Sequence, residues 1–197
     1  MASIHSKAID YGEKVSVVFI GGAQGTGKTT ILRKLEERLP ANTVSVVYTG
    51  ELIFAMCAST FAIPWDVLNK ESKIVVRNGV IKQITALKSK VTIIDGHYVE
   101  LNGNEFGAIV PEDLAKLVSS HIIIEARQEQ VLERRSLDNS KKRNSINIEL
   151  IRKEQEAERK EAQSIALKNG VGFHLIENNS VETAVNDLLA LLRLRIN

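Results

Sequence analysis

The feature that most constrains this chain is a glycine-rich segment between a strand pattern and a helix pattern. Val15 to Ile20 are mainly apolar and β-branched, which is typical of a buried strand. Gly22 to Thr29, GAQGTGKT, then match the phosphate-loop pattern G-x-x-x-x-G-K-[ST] at every fixed position. Apolar residues at helical spacing follow at Ile31, Leu32 and Leu35. Strand, loop and helix in this order are the context in which the motif binds phosphate.

The residue types in this segment explain the expected chemistry. Glycines let the backbone adopt dihedrals that are closed to other residues, so that successive N–H groups can converge on an anion. The helix that begins near Gly27 adds the positive end of its dipole. Lys28 is placed to reach the β- and γ-phosphates, and the Thr29 hydroxyl can bind Mg²⁺.

Composition sets the class of protein. The chain has 197 residues, of which 44% are hydrophobic and 25% are charged, so it is long enough for one α/β domain with a sizeable core. The net charge is +2 and basic residues form no long run, so nucleic-acid binding is not expected. The single cysteine, Cys57, cannot form an internal disulfide and is interpreted as a packed residue. We find no signal-peptide core and no apolar run of membrane-spanning length, which predicts a soluble, cytoplasmic protein without membrane contact.

Short apolar strands alternate with helices along the chain, which predicts a parallel sheet covered on both faces. The predicted strands are Val15–Ile20, Asn42–Tyr48, Val91–Asp95, His121–Glu125 and Gly172–Glu177. No linker divides the chain, so residues 1–197 are predicted to form a single domain with insertions at about 51–90 and 136–145. Residues 96–110 are interpreted as a loop, and 146–168 as a solvated, charged helix.

The first insertion is predicted to contain two helices. One covers Glu51–Ala58, and Asp66 is a candidate cap for another that ends near Lys88. Its buried candidates are Val67, Ile74, Val75, Ile81, Ile84 and Leu87. Arg77 lies among valines on this helix, and its head could either bind an acceptor phosphate or extend to solvent.

Two polar residues follow the third predicted strand. Asp95 ends that strand, and an aspartate at a strand end beside a phosphate loop helps to hold Mg²⁺, although it could instead form a turn. We favour the metal role because of the loop. His97 faces the same edge and could orient a substrate or Asp95, or be a hydrogen-bonded structural histidine.

A basic segment follows the fourth strand, on the side of the sheet where ligands gather. Phosphoryl transfer spreads negative charge over oxygens that arginines can stabilise, so a mobile basic lid over 136–145 is favoured over a solvated surface. Arg134 and Arg143 are the stronger candidates, followed by Lys141. Arg135 and Lys142 are interpreted as surface residues.

In order, the segments GAQGTGKTT, VVYTGELIF, VTIIDGH, VLERRSLDNSKKRN and HLIENNS resemble the archaeal-type adenylate kinases, from about Val15 to the C-terminus. The resemblance implies a three-layer phosphate-loop NTPase fold, with five parallel strands in the order 2-3-1-4-5 and helices on both faces. It also implies Mg²⁺-dependent phosphoryl transfer from ATP to AMP, and a possible homo-oligomer, since family members are often trimers.

The resemblance carries over residue by residue. The ATP phosphates would be held by Gly22, Ala23, Gln24, Gly25, Thr26, Gly27, Lys28, Thr29 and Thr30. Asp95 would serve Mg²⁺, and Arg134 and Arg143 would close over the transferring group. Asn178 and Asn179 would lie near the ATP base. The acceptor site would be lined by Thr49, Gly50 and Arg77.

The chain departs from the family pattern at three places. Asn69 stands where an arginine is common, Leu101 to Pro111 (LNGNEFGAIVP) replaces a sequence close to TPxGYLPGLP, and Lys141 replaces a lid arginine. The first two concern the acceptor more than the ATP donor. A nucleoside monophosphate kinase with AMP as acceptor is therefore the main hypothesis, and a kinase of another small molecule is the second.

A nucleotide-binding regulator without transferase activity is the third hypothesis. A GTPase of this kind would need an N-K-x-D motif after a strand to read guanine. The nearest match, Asn69 to Ser72, lacks the aspartate.

Overall fold

The structure of the protein, a computed structural model, describes residues 16–39, 44–87, 89–138 and 147–192. Its strands are β1 (Ser16–Gly21), β2 (Val44–Tyr48), β3 (Val91–Asp95), β4 (Val99–Asn102), β5 (Glu105–Ala108), β6 (Ser120–Glu125) and β7 (Gly172–Glu177). Five of them form a parallel sheet in the order β2-β3-β1-β6-β7, and β4 pairs with β5 in a separate hairpin. The hairpin lies between the third and fourth sheet strands along the chain, and the observed order departs from the implied 2-3-1-4-5 only by this insertion.

Helices cover both faces of the sheet, as the alternating pattern predicts. They are α1 (Lys28–Glu36), α2 (Thr49–Thr60), α3 (Lys70–Thr85), α4 (Glu112–Leu117), α5 (Gln128–Leu137), α6 (Ile148–Asn169) and α7 (Val181–Leu191). Val18 and Ile20 of β1 pack into a core with α1 and α7, whereas Phe19 between them packs with α3, α4 and α6. The alternation of side chains along a strand therefore builds two cores. Within the described ranges, none of the helices has the length and apolar composition needed to cross a membrane.

The first insertion differs from its prediction. A short 3₁₀ turn at Trp65–Val67 precedes α3, and the helix is capped by Asn69, not Asp66, because Asn69 Oδ1 accepts a hydrogen bond from Ser72 N at 2.8 Å. The buried residues of α3 are Val76, Val80 and Ile84, whereas the predicted Val67, Ile74 and Val75 are exposed. The continuous apolar run at 74–76 does not reveal which of its members faces the core. Cys57 on α2 is buried, as predicted.

Two further elements were misjudged from their patterns. The predicted loop at 96–110 contains the β4–β5 hairpin, in which only Val99 is buried and Gly103 at φ +63° occupies the turn, so no apolar alternation marks the strands. The apolar run at 42–48 is also typical of a buried strand, but β2 is half-buried along its length because it is the edge of the sheet and pairs only with β3.

The helix α6 is not simply solvated, because one stripe of it is buried. This stripe consists of Ile151, Gln155, Glu158, Ala162 and Ala166. Their spacing keeps them on one helix face, but two of them are polar and two are small. A hydrophobic pattern search therefore does not detect the buried face.

A buried aromatic cluster fixes the start of the hairpin segment against β1. The rings of Phe19 and Tyr98 are 4.7 Å apart, and Tyr98 Oη lies 2.8 Å from His121 Nδ1. Burial raises the pKa of Tyr98 and lowers the pKa of His121 from 6.5 to about 4. His121 is therefore a neutral core residue at neutral pH.

We predict that Ile151→Ala lowers the free energy of unfolding by about 2–5 kcal/mol, because it leaves a cavity in the buried face of α6. Leu167→Ala on the same helix is the control, since Leu167 is 85% exposed and its truncation should change stability by less than about 0.5 kcal/mol. Urea denaturation of both variants measures the difference. Equal effects would contradict the burial of this face.

We also predict that His121 makes the protein less stable in acid. Its pKa falls on folding, so the unfolded chain takes up a proton below pH 6.5 and the folded chain does not until about pH 4. Stability from this residue is thus complete above pH 6.5 and decreases by about 3 kcal/mol as the pH falls to 4. Denaturation across this range should show a shallower decrease for His121→Asn than for the wild type, and superimposable profiles would refute the assignment.

Candidate active site

The glycine-rich loop lies between β1 and α1. Its glycines are needed for two reasons: their φ angles are positive, and neighbouring atoms leave no space for a side chain. Gly22, Gly25 and Gly27 have φ values of +139°, +86° and +93°. A Cβ on Gly22 would lie 2.2 Å from Ile124 O, and one on Gly27 would lie 2.5 Å from Asn178 Nδ2. The loop can therefore wrap closely only because these positions carry no side chain.

Lys28 is the first residue of α1 and lies over the loop that precedes it. Its side chain is buried, and its ammonium donates a hydrogen bond to Gly22 O. This arrangement places a positive charge together with the N-terminus of α1, and both features favour a bound anion.

A hydroxyl and a carboxylate meet beside Lys28. Thr29 Oγ1 donates to Asp95 Oδ2 at 2.9 Å, and Asp95 is 9% exposed. The pairing follows from the parallel sheet, because the register sets Asp95 opposite Ile20 at the carboxyl end of β1. Thr49 Oγ1 secures the same turn by donating to Asp95 O at 2.7 Å.

The Thr29–Asp95 pair fits magnesium in its chemistry. Both residues offer oxygen, which Mg²⁺ prefers, and Mg²⁺ commonly takes one or two protein ligands together with phosphate oxygens and water. In the part of the chain that the structure describes, no group of three or more His, Cys, Asp or Glu side chains is arranged to hold a metal. The residues present therefore suit a shared protein–phosphate site.

Two arginines of α5 bind the outer carbonyls of the loop. Arg134 Nη1 donates to Gly25 O at 3.1 Å and to Thr26 O at 3.2 Å. Arg135 donates to Gln24 O at 2.8 and 2.6 Å, and its guanidinium pairs with Glu154 at 2.8 Å. The prediction that Arg135 is a surface residue is wrong, since it is 6% exposed and fixes the loop.

The two asparagines after β7 occupy different environments. Asn178 is 1% exposed, and its Nδ2 donates to Thr26 O at 2.7 Å. Its own N–H donates to Glu125 O at 2.7 Å, so the residue ties the loop to the end of β6. Asn179 is exposed. A contact of either residue with the ATP base stays a prediction, and the observed role of Asn178 is to support the loop.

Helix α6 supplies two loop contacts that the sequence analysis missed. Glu154 Oε1 accepts from Gln24 N at 3.1 Å, and Glu158 Oε2 accepts from Gly22 N at 3.2 Å. His97 Nδ1 lies 3.2 Å from Glu158 Oε1, with the His97 side chain 34% exposed. A charged glutamate in a stripe whose other members are uncharged is the signal that could have revealed Glu158.

The predicted acceptor residues do not form one cluster. Arg77 lies 5.4 Å from the centre of the Trp65 ring and borders a cavity of about 310 Å³, which Thr49 and Gly50 do not line. Residues 108–111, from the segment that departs from the family pattern, form another wall of this cavity. Lys141 and Arg143 lie outside the described residues.

Comparison with known proteins agrees with this geometry. A family model described as "AAA domain" matches residues 21–152, which extend from the end of β1 into α6. Adenylate kinase from Pyrococcus furiosus is 27% identical over 191 residues, covering 92% of this chain and 97% of the relative. Adenylate kinase from Methanoculleus marisnigri is 28% identical over 193 residues, covering 92% of this chain and 99% of the relative.

A solved structure with the same fold is the tunicamycin resistance protein from Deinococcus radiodurans. The TM-score is 0.60 at 16% sequence identity, and the match covers 93% of this chain and 98% of the other. Together with the phosphate loop and the Thr29–Asp95 pair, the matches indicate a nucleotide kinase. This chain belongs to the AAA domain family, and over nearly its whole length it is similar to the archaeal-type adenylate kinases.

Proposed function

We propose that the protein transfers the γ-phosphoryl group of ATP to a nucleoside monophosphate, with AMP the favoured acceptor and Mg²⁺ required. The observation that carries the proposal is the Thr29–Asp95 contact of 2.9 Å beside the buried Lys28. The similarity to archaeal adenylate kinases supports ATP and AMP as the substrates.

In this mechanism the protein contributes positioning and charge and forms no covalent intermediate. An oxygen of the acceptor phosphate attacks the γ-phosphorus, and the bond from that phosphorus to the bridging oxygen breaks to release ADP. Backbone N–H groups of the loop and the Lys28 ammonium stabilise the phosphate oxygens. Thr29 and Asp95 would hold Mg²⁺, which neutralises charge on the β- and γ-phosphates when bound.

Arg134 is proposed to act on the transferring group together with Arg143 and Lys141. Its guanidinium bonds to two loop carbonyls, so it lies at the donor loop before any phosphate arrives. Contact with a phosphate would exchange neutral acceptors for charged ones, which form stronger hydrogen bonds. The loop would thus position both Arg134 and the ATP phosphates.

The insertion at about 51–90 is proposed to bind the acceptor. Arg77 supplies a cation at the cavity, and the centre of the Trp65 ring lies 5.4 Å from its guanidinium. Arginine and an aromatic ring suit a phosphate and a base respectively. Thr49 and Gly50 would contact the acceptor nearer to Asp95.

A kinase of another small molecule is the second candidate. The cavity beside Arg77 is lined by Ala108 to Pro111, within the segment where the chain departs from the adenylate kinase pattern. A changed wall alters which acceptor fits and leaves the donor loop intact.

We predict that the protein with ATP and Mg²⁺ converts AMP to ADP, and AMP faster than the other nucleoside monophosphates. Separation of nucleotides by chromatography measures the products, and ATP alone is the control for hydrolysis. Failure to produce a diphosphate from any monophosphate would refute the main proposal. Saturating turnover of AMP at ordinary enzyme rates would eliminate the second candidate.

We predict that Lys28→Ala lowers kcat roughly 100- to 1,000-fold, because a charge that stabilises the transferring phosphoryl group is lost. Lys34→Ala on the same helix is the matched control, since Lys34 forms an exposed pair with Glu37 and its loss should change kcat by less than about twofold. Steady-state kinetics and circular dichroism of both variants measure activity and folding. A folded Lys28→Ala variant of near-normal rate would overturn the site assignment.

We predict that Asp95→Asn raises the Mg²⁺ concentration needed for half-maximal activity by roughly tenfold or more, because a neutral amide is a poorer magnesium ligand than a carboxylate. Titration of activity with Mg²⁺ at saturating ATP measures the change. Asp113→Asn on the exposed first turn of α4 is the control and should leave the titration unchanged. An unaltered Mg²⁺ requirement in Asp95→Asn would contradict the metal assignment.

A further inference from the structure

Glu158 joins two segments that lie far apart in the sequence. Its Oε2 accepts hydrogen bonds from Gly22 N at 3.2 Å and from Tyr98 N at 3.0 Å. Its Oε1 lies 3.2 Å from His97 Nδ1. The glutamate side chain is 1% exposed, so these contacts form out of solvent.

The bridge occurs where the sheet can no longer connect these segments. The β1 and β3 strands pair as far as Ile20 and Asp95, and Gly96 N still donates to Ile20 O at 3.1 Å. Beyond this point the segment after β1 curves into the glycine-rich loop, and the segment after β3 turns toward the hairpin. The amides of Gly22 and Tyr98 therefore need another acceptor, and the carboxylate supplies one to both.

The bridged segments carry the two halves of the active site. Gly22 begins the loop, and its carbonyl accepts a hydrogen bond from Lys28. Tyr98 lies three residues after Asp95, and its fully buried ring packs 4.7 Å from Phe19. A Cβ on Gly21 would lie 2.3 Å from that ring, so the Tyr98 segment is in close contact with the start of the loop.

We propose that Glu158 is a positioning residue for phosphoryl transfer, which holds the donor loop at a fixed separation from the Asp95–His97 segment. This inference rests on the proposed kinase function. Glu158 acts through the residues that it aligns: Lys28 and Thr29 on the loop, and Asp95 and His97 on the other segment. Small displacements of such groups reduce the rate of the chemical step more than they reduce binding.

Three substitutions test the bridge. Glu158→Leu removes the acceptor and should lower kcat roughly 30- to 100-fold while the KM for ATP changes less than about threefold. Glu158→Asp keeps the charge but has a shorter side chain, so its kcat should fall less than that of Glu158→Leu. This variant also tests the bridge if the leucine variant fails to fold. Glu158→Gln retains an oxygen that can accept both N–H bonds, and its kcat should stay within about fivefold of the wild type.

Gln155→Leu is the matched control. Gln155 is also buried on α6, but its Oε1 accepts from Ala126 N at 3.0 Å, just after β6, and not from an amide of the loop or of the Asp95–His97 segment. The control loses the same kind of buried hydrogen bond and should lower stability with kcat within about twofold of the wild type. A positioning role requires a selective loss of kcat in Glu158→Asp and Glu158→Leu. Wild-type kcat in a folded Glu158→Asp variant, or an equal loss in Gln155→Leu, would overturn it.

Amide exchange followed by NMR separates this inference from the proposed function. In Glu158→Asp the amides of Gly22 and Tyr98 should exchange at least about tenfold faster than in the wild type, while the amide of Ile94 within β3 stays protected. This measurement needs no acceptor. If the wild type phosphorylates no monophosphate, the kinase proposal fails on that result alone, and unchanged exchange at Gly22 and Tyr98 would separately overturn the bridge.

Discussion

The backbone of the glycine-rich loop is the constraint on which the rest of this structure depends. A loop that curves away from the sheet cannot pair its peptide groups with a neighbouring strand, so other elements must supply partners. Helix α6 accepts from the loop amides through Glu154 and Glu158. Helix α5 donates to the loop carbonyls through Arg134 and Arg135, and Asn178 after β7 does the same. The C-terminal half of the chain thus shapes a motif that lies near its start.

The parallel sheet contributes the second half of the site. Because β3 lies beside β1, the carboxyl end of each strand reaches the same edge, and Asp95 comes within 2.9 Å of Thr29. Two of the three departures from the adenylate kinase pattern lie outside this pair, in the first insertion and in the hairpin segment. Asn69 caps α3, and the segment 101–111 contributes to the hairpin and to the wall of the cavity beside Arg77.

The strong local patterns predicted the five sheet strands and the position of the glycine-rich loop between β1 and α1. The predicted third and fifth strands have the same limits as β3 and β7. The third is a short, mainly β-branched run, and the fifth lies between the helix end at Asn169-Gly170 and the turn residue Asn178. In α3 the predicted Ile84 is buried, but Ile74 and Val75 are exposed while Val76 is buried, because the apolar run at 74–76 is continuous and does not mark the core-facing residue. The hairpin lacks an apolar alternation, and α6 buries alanine, glutamine and glutamate, so neither left a hydrophobic signal.

The sequence by itself determined the glycine-rich loop motif, the alternation of the five sheet strands with helices, and the candidates Lys28, Thr29 and Asp95. These follow from local rules, since glycine spacing and residue periodicity act over a few neighbouring positions. Only the tertiary structure decided that Arg135 is buried at the loop, that Asn178 lies behind it, and that Glu158 bridges Gly22 and Tyr98. These contacts join residues more than 50 positions apart. Whether a polar side chain contacts solvent or a distant backbone group depends on how the elements pack, which local sequence does not specify.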